Sequence, residues 1–299
     1  MIAAVEAIAR LGAALGGDPA AELAAAALVE ADVLGQPRFG IAMLDEWRPD
    51  AQPLPKETEP RAVRWVDASA CFAPVAVAGA TLDLGLAAHQ FGVAAVFLRG
   101  VRGFGRLAPF VRHLADDGLV GLAGAQSAPF VAPFGGTGPA IGTNPLALAM
   151  GTGAERVVID LATASITIAE LRKARAEGTP LPEGAGLDAA GQPTTTAAEV
   201  AALLPRDGKA GSLLGLVVEL LAGVAGGGRG DPAGRGVFLL AFDPAAAEGD
   251  IGWRDRLAAL QGDWTGGGGH WPKGGGLPEG ATLDAGFAER LDAFLARMA

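Results

Sequence analysis

The side chains of this chain that could do chemistry are mainly guanidinium groups, while histidine, the usual acid–base group, is scarce. Arg38 stands in Arg38-Phe39-Gly40, and Arg102 and Arg106 bracket Gly103-Phe104-Gly105. A guanidinium grips a carboxylate through two parallel hydrogen bonds, so these arginines could anchor an acidic substrate. Plain surface charge is the alternative. Phe39, Trp47 and Phe104 would make a shared pocket apolar. The three histidines, His89, His113 and His270, are too scattered to offer metal-ligand spacing, and no metal is expected. His89 and His113 fall in predicted helices and read as partly exposed. His270 lies in a glycine-rich stretch from which it could close over a site.

Several familiar chemistries find no footing. Gly136-Thr137-Gly138 lacks the third glycine of a dinucleotide turn that follows a strand and opens a helix. Gly208-Lys209 lacks both the upstream glycine and the following Ser/Thr of a phosphate loop. No GxSxG elbow supplies a hydrolase nucleophile. A net charge of −10 with scattered basic residues argues against a nucleic-acid surface. The densest basic group, Arg172, Lys173 and Arg175, reads as a solvated helix face. The single cysteine, Cys71, excludes an internal disulfide, fits a reducing compartment and reads as a small core residue. With Glu6 and Arg10 inside the first apolar run, no secretory signal is visible, and a cytoplasmic location is expected.

The elements that must position these groups follow from hydrophobic pattern. Hydrophobic residues make up 50% of the 299, enough for a large core shared by two or three subdomains. Prolines 129, 133, 139 and 145 interrupt the uncharged run 118–154, and Glu219 interrupts 210–228, so neither reads as a membrane span. Residues 2–34 read as helices, with 20–33 apolar nearly all round, as packing on two sides requires. Short buried strands are predicted at 93–98, 119–123 and 157–161. Helices are predicted at 165–177, ended by Gly178, at 212–224, ended by Gly226-Gly227-Gly228, and at 284–298, with Phe287, Leu291 and Phe294 on one face. Residues 262–280 read as a flexible loop punctuated by aromatics.

Taken in order, one set of segments resembles a known family. These are Ala31-Asp32 with Gly35, Gln126-Ser127, Ala132-Pro133-Phe134-Gly135-Gly136, Gly142-Thr143-Asn144-Pro145, Asp160-Leu161-Ala162-Thr163, Gly191-Gln192-Pro193-Thr194-Thr195 and Glu219-Leu220-Leu221-Ala222-Gly223. From Ala31 to about Phe242 the chain is similar to the malate/L-lactate dehydrogenase family of non-Rossmann NAD(P)-dependent reductases. Its relatives include ureidoglycolate dehydrogenases and cyclic ketimine reductases. The resemblance implies a mixed α+β fold with a largely antiparallel cofactor-domain sheet. It divides the chain into an N-terminal helical part, 1–60, an α/β part, 61–115, completed by 236–299, and a cofactor-binding domain, 116–235. It also implies a cytoplasmic homodimer with the active site near the subunit interface.

Residue by residue, the resemblance implies that Ser127, Asp160, Leu161 and Ala162 contact NADH or NADPH. The 142–145 loop would lie beside the nicotinamide, with Thr143 and Asn144 toward the substrate. The alternatives are a strand-end hydroxyl for Ser127 and a helix N-cap ahead of 165–177 for Asp160. A lysine-glycine pair of the family falls at Ala210-Gly211, with Lys209 one residue early; Lys209 and Gly211 are therefore cofactor candidates. The catalytic half departs from the pattern. The family's Ser-His-Gly-x-x-Arg run falls on Arg38-Phe39-Gly40-Ile41-Ala42-Met43, and a second family histidine falls on Gly103. Neither phenylalanine nor glycine can donate a proton. Arg38, Phe39 and Arg102 are then expected at the substrate.

Four functions compete. A cyclic ketimine can arrive already protonated, so an NAD(P)H-dependent imine reductase with an arginine clamp tolerates the lost histidines. A 2-hydroxy-acid dehydrogenase would need a relocated acid such as Asp45, Glu46 or His270. A binding descendant could keep the dimer and the dinucleotide, or the scaffold could have turned to non-redox chemistry.

Overall fold

The structure is a computed structural model that describes residues 1–55, 59–231, 235–246 and 252–298. In chain order its elements begin with β1 (Ile2–Ala3), α1 (Ala4–Ala14), α2 (Pro19–Val33), β2 (Val63–Asp67), α3 (Ala73–Phe91) and β3 (Val93–Val101). Next come α4 (Ala108–Asp116), β4 (Val120–Ala125), β5 (Leu146–Met150), β6 (Val157–Leu161) and α5 (Ile168–Glu177). The remainder are β7 (Gly186–Leu187), β8 (Pro193–Thr194), β9 (Ala202–Leu203), α6 (Lys209–Val218), β10 (Arg235–Phe242), α7 (Trp253–Gly266), β11 (Thr282–Leu283) and α8 (Ala285–Met298). No helix among the described residues is long and apolar enough to cross a membrane.

Six strands form the central sheet in the order β2-β3-β10-β4-β5-β6, and only the β2–β3 pairing is parallel. The expected antiparallel-rich, non-Rossmann sheet is therefore what the chain adopts. β10, an apolar run, lies between β3 and β4, where both faces are covered. Strand periodicity sorts β3: Ala94, Val96 and Leu98 face the main core with α3 and α4, while Phe97 turns to the other face, against Phe238, Val218 and Ala222. Strands from segments 61–115, 116–235 and 236–299 share this one sheet.

The two-sided reading of α2 holds. Ala24 and Ala27 join the sheet-side core, and Ala25, Leu28 and Val29 join a second core with Leu11, Phe287, Leu291 and Phe294 from α1 and α8. Asp18 starts the helix by accepting the Ala21 N–H at 2.8 Å. A third cluster, around Val131, Ile141, Leu171 and Leu203, holds α5 against the small β7–β9 sheet.

Three expectations need correction. The helix expected from residue 165 starts at Ile168, where Thr167 and Glu170 form a reciprocal capping box, though Gly178 ends it as read. The helix expected at 212–224 starts three residues earlier and widens into a π-helical turn, Glu219–Ala225. The supposed flexible stretch 262–280 opens as the end of α7, and its remainder is tied down. Trp271 is buried and donates its indole N–H to the carbonyls of Glu155 and Arg156 at 3.3 and 3.1 Å, and Val158 donates to the Pro272 carbonyl.

Candidate active site

A cavity of about 430 Å³ opens where the 3₁₀ turns after α2, the segment between β3 and α4, and the ends of β4 and β6 converge. The first turns, Pro37–Phe39 and Ile41–Glu46, are tied to α2 by the packing of Ile41 and Leu44 and by a hydrogen bond. Asp32 Oδ2 accepts the Ile41 N–H at 2.5 Å. A Cβ on Gly40 would stand 1.9 Å from that oxygen and 2.7 Å from the Leu28 carbonyl, so only glycine fits. Burial pushes the Asp32 carboxyl up to about 6, partly offset by the Ile41 bond. This anchor presents Arg38, Phe39 and Met43 to the cavity.

The opposing wall is the segment after β3. Arg102 and Gly103 line the cavity with Phe104, which tilts against Phe110 at 6.2 Å. A Cβ at Gly103 would meet Met43 Sδ at 2.8 Å, so packing has closed the place where a side chain would stand. Arg38 and Arg102 are exposed, and among the described residues neither guanidinium has a hydrogen-bond or ion-pair partner. Arg106 differs from both readings it was given. It is neither surface charge nor a free anchor, because it lies 3.3 Å from the buried Glu30 carboxylate, which Arg112 also holds, and 3.7 Å from Asp160.

The third wall carries the sites implied by the resemblance. Ser127 and Thr143 line the cavity and are joined, the Thr143 N–H donating to Ser127 Oγ at 3.1 Å. A Cβ at Gly142 would lie 2.0 Å from the same Oγ. Asp160, Leu161 and Ala162 close the floor at the end of β6. Asp160 is a helix cap, but of a different helix from the one expected: its Oδ2 accepts the Ala108 N–H of α4 at 3.1 Å. The helix after it, α5, is capped by Thr167. Burial raises the Asp160 carboxyl above its ordinary range despite the neighbouring Arg106 charge and the Ala108 bond.

Other expected residues lie elsewhere. Asn144 is fully buried at φ +35° and directs its amide away from the cavity, donating to the Gly215 carbonyl at 3.0 Å and Glu219 Oε2 at 2.9 Å. Its Oδ1 accepts the Ser127 N–H, so it shapes the loop rather than touching what the cavity holds. Lys209 and Gly211, at the start of α6, do not line this cavity. They lie beside a second one, of about 540 Å³, bordered by Phe134, Ser165, Arg206 and Gly208. Lys209 is exposed, and a Cβ on Gly211 would collide with the Arg206 carbonyl at 1.9 Å. Trp47 packs edge-on against Phe294 at 5.6 Å, away from the pocket. The candidate relocated acids are also absent from it: Asp45 pairs with Arg290, Glu46 is exposed, and His270 is exposed with its carbonyl held by Trp264. No group of three or more metal-ligating side chains occurs among the described residues.

Arg172 is exposed, as a residue of a solvated helix face should be, but it also borders the cavity with Thr167 and Ile168, a position the sequence reading missed, and it too has no partner among the described residues. The available signal was the four-residue spacing from Ile168, which puts the two on one helix face.

Residues 7–265 match the family described as malate/L-lactate dehydrogenase. Over 201 residues the chain is 36% identical to a Delta(1)-pyrroline-2-carboxylate/Delta(1)-piperideine-2-carboxylate reductase of Pseudomonas putida, a match covering 62% of this chain and 59% of that protein. It is 38% identical over 173 residues to a (2R)-3-sulfolactate dehydrogenase (NADP(+)) of Chromohalobacter salexigens, covering 53% of this chain and 52% of that one. The chain thus spans between half and three fifths of the length of these curated relatives. In three dimensions it is similar to delta1-piperideine-2-carboxylate reductase from Pseudomonas syringae pv. tomato, with a TM-score of 0.80 and 29% identity over 98% of this chain and 99% of that one. The fold is also that of a sulfolactate dehydrogenase from Methanocaldococcus jannaschii, with a TM-score of 0.78 and 22% identity over 100% of this chain and 97% of that one.

Proposed function

The chain belongs to the malate/L-lactate dehydrogenase family, and on that footing we propose that it is an NAD(P)H-dependent reductase of a carboxylate-bearing, cyclic imine. The observation that carries this reading is the pair Arg38 and Arg102, unpartnered among the described residues, at a cavity walled by Phe39, Met43 and Phe104. Partnerless guanidinium groups beside apolar rings suit a ligand with a carboxylate at one end and a hydrocarbon ring at the other. The pyrroline-2-carboxylate reductases among the relatives have that kind of substrate by name.

The residues present fit a nicotinamide dinucleotide. Leu161 and Ala162 offer a flat apolar floor, Ser127 and Thr143 offer hydroxyls, and Arg172 offers a cation for phosphate. When bound, the cofactor supplies the hydride. Arg38 and Arg102 would orient the substrate carboxylate, Phe39 and Met43 would exclude water from the reacting face, and Thr143 would hold the ring edge. We keep 116–235 as the cofactor-binding part, because Ser127, Leu161 and Ala162 all lie in it.

We also propose a cytoplasmic homodimer. Leu213, Leu216, Leu220 and Val224 form an exposed apolar row along α6 and the π-helical turn, 43–59% accessible, as an uncovered interface would be. A second copy is the occupant this reading requires.

The test is a paired assay with NADH and NADPH, comparing Δ1-pyrroline-2-carboxylate or Δ1-piperideine-2-carboxylate with pyruvate and oxaloacetate. Faster turnover of the imines is expected. Faster turnover of the keto acids would replace this reading with a 2-hydroxy-acid dehydrogenase. Dinucleotide binding without any turnover would favour the binding or non-redox descendant.

A further inference from the structure

We propose that Asp160 is the proton donor of the reduction carried out in this cavity, a role that rests on the reductase reading above. Among the described residues that line the cavity, Asp160 is the only carboxylic acid, and no histidine, cysteine or lysine accompanies it. The other polar groups there are arginines, amides and hydroxyls, none of which exchanges a proton readily near neutrality.

Its geometry leaves one oxygen for this work. Asp160 Oδ2 accepts the Ala108 N–H and faces Arg106 at 3.7 Å, while Oδ1 has no partner among the described residues. Arg106 lies closer to Glu30 of α2, at 3.3 Å, so its charge is shared with a second carboxylate. That sharing limits its pull on the Asp160 proton, and the Glu30 charge itself favours the protonated form, as does burial. Arg38, Arg102, Arg172 and Arg235 also border the cavity and oppose this. The net direction is upward.

The step balances without a further reagent. As the imine carbon takes up the hydride, the C=N π pair takes the proton: the Asp160 O–H bond breaks and an N–H bond forms. The imine is reduced to the amine, the dihydronicotinamide is oxidised, and Asp160 is left as a carboxylate for water to reprotonate. A keto acid would follow the same course at oxygen, with greater need of the donor, because it cannot arrive protonated.

Asp160→Asn tests the role, since its amide oxygen can still accept the Ala108 N–H and keep α4 capped. In the free protein, an infrared difference between wild type and variant, followed with pH, should contain a protonated-carboxyl band that persists above the ordinary carboxylate range. In turnover, kcat should fall about 100-fold or more, the alkaline fall of the wild-type kcat profile should vanish, and dinucleotide Kd should stay within about twofold. Asp160→Glu, which keeps an acid, should retain the alkaline fall at reduced kcat. An unchanged kcat and pH profile in Asp160→Asn overturns the proposal, as does absence of the carboxyl band. A loss of dinucleotide affinity that accounts for the whole fall overturns it as well, and makes Asp160 a cofactor contact. A wild type that binds dinucleotide yet reduces neither imine nor keto acid sinks the reductase reading together with this one, whereas an active wild type with an indifferent variant sinks this one alone.

Discussion

The two walls of the cavity are built on opposite plans. On the Ser127 side nearly every polar atom has a fixed counterpart: Thr143 N–H on Ser127 Oγ, Ser127 N–H on Asn144, Asn144 on Glu219, and Glu219 on Arg229. Gly142 completes the lattice by approaching closer than any side chain allows. On the Arg38 side, two guanidiniums stand without partners among the described residues, and a packing contact, Met43 against Gly103, fills the space between. The first wall can change only by concerted substitution, because each residue is another's hydrogen-bond partner. The second can exchange residues singly.

The contrast is easiest to break at Gly142. Gly142→Ala would press a methyl onto Ser127 Oγ and onto the Ser127 carbonyl oxygen, 2.5 Å away. We expect a loss of about 3 kcal/mol in chemical denaturation, the upper end for overpacking. A Tm within about 2 °C of wild type would show that the wall yields. On the open wall, Arg38→Ala should leave Tm unchanged and weaken a carboxylate-bearing ligand by roughly 1.5–3 kcal/mol, read by calorimetry. A loss no larger for the carboxylate than for its amide analogue would remove Arg38 from the substrate.

Asp32 joins the open wall to α2, and its effect is one of pH. The folded protein holds its proton up to about pH 6, while the unfolded chain releases it near 3.8. The stability from this difference is therefore fully present below the unfolded value and is lost as pH rises through the folded one. Asp32→Asn abolishes the cost of a buried charge while keeping an acceptor for Ile41. Its Tm relative to wild type should accordingly climb between about pH 4 and about pH 6 and level off above that. A gap that is flat across this range would show that Asp32 titrates normally. The smallest effect is expected at exposed Lys209, where Lys209→Ala should change dinucleotide affinity by no more than about 0.5 kcal/mol.

What could be read in the residues follows the same division. The resemblance picked out Ser127, Thr143 and Asp160 to Ala162, which line one cavity, and at Gly142 short-range crowding dictates the residue type. The uniform apolarity of α2 likewise announced two cores, and β3, β4 and β6 were evident from their apolar runs. Non-local ties were not legible. The alternative reading of Asp160 as a cap pointed to the helix that follows it, whereas the amide whose N–H it accepts is 52 residues earlier in the chain. Arg172 is solvated as its charge suggests, but charge alone carries no sign that its helix face also borders the cavity. Glycine content made the segment around Trp271 look loose, since composition carries no trace of the two carbonyls waiting for its indole.

That indole has a consequence for how the protein behaves in a crowded solution. β6 ends the six-stranded sheet, and an uncovered terminal strand is a template for another chain to add to. Because Trp271 seats the following Pro272 carbonyl on the Val158 N–H, the outward-facing ladder of β6 is already partly occupied. The aromatic residue thereby acts as a guard against strand-by-strand polymerisation. Its loss would be felt first as precipitation on standing, before any change in what the cavity binds.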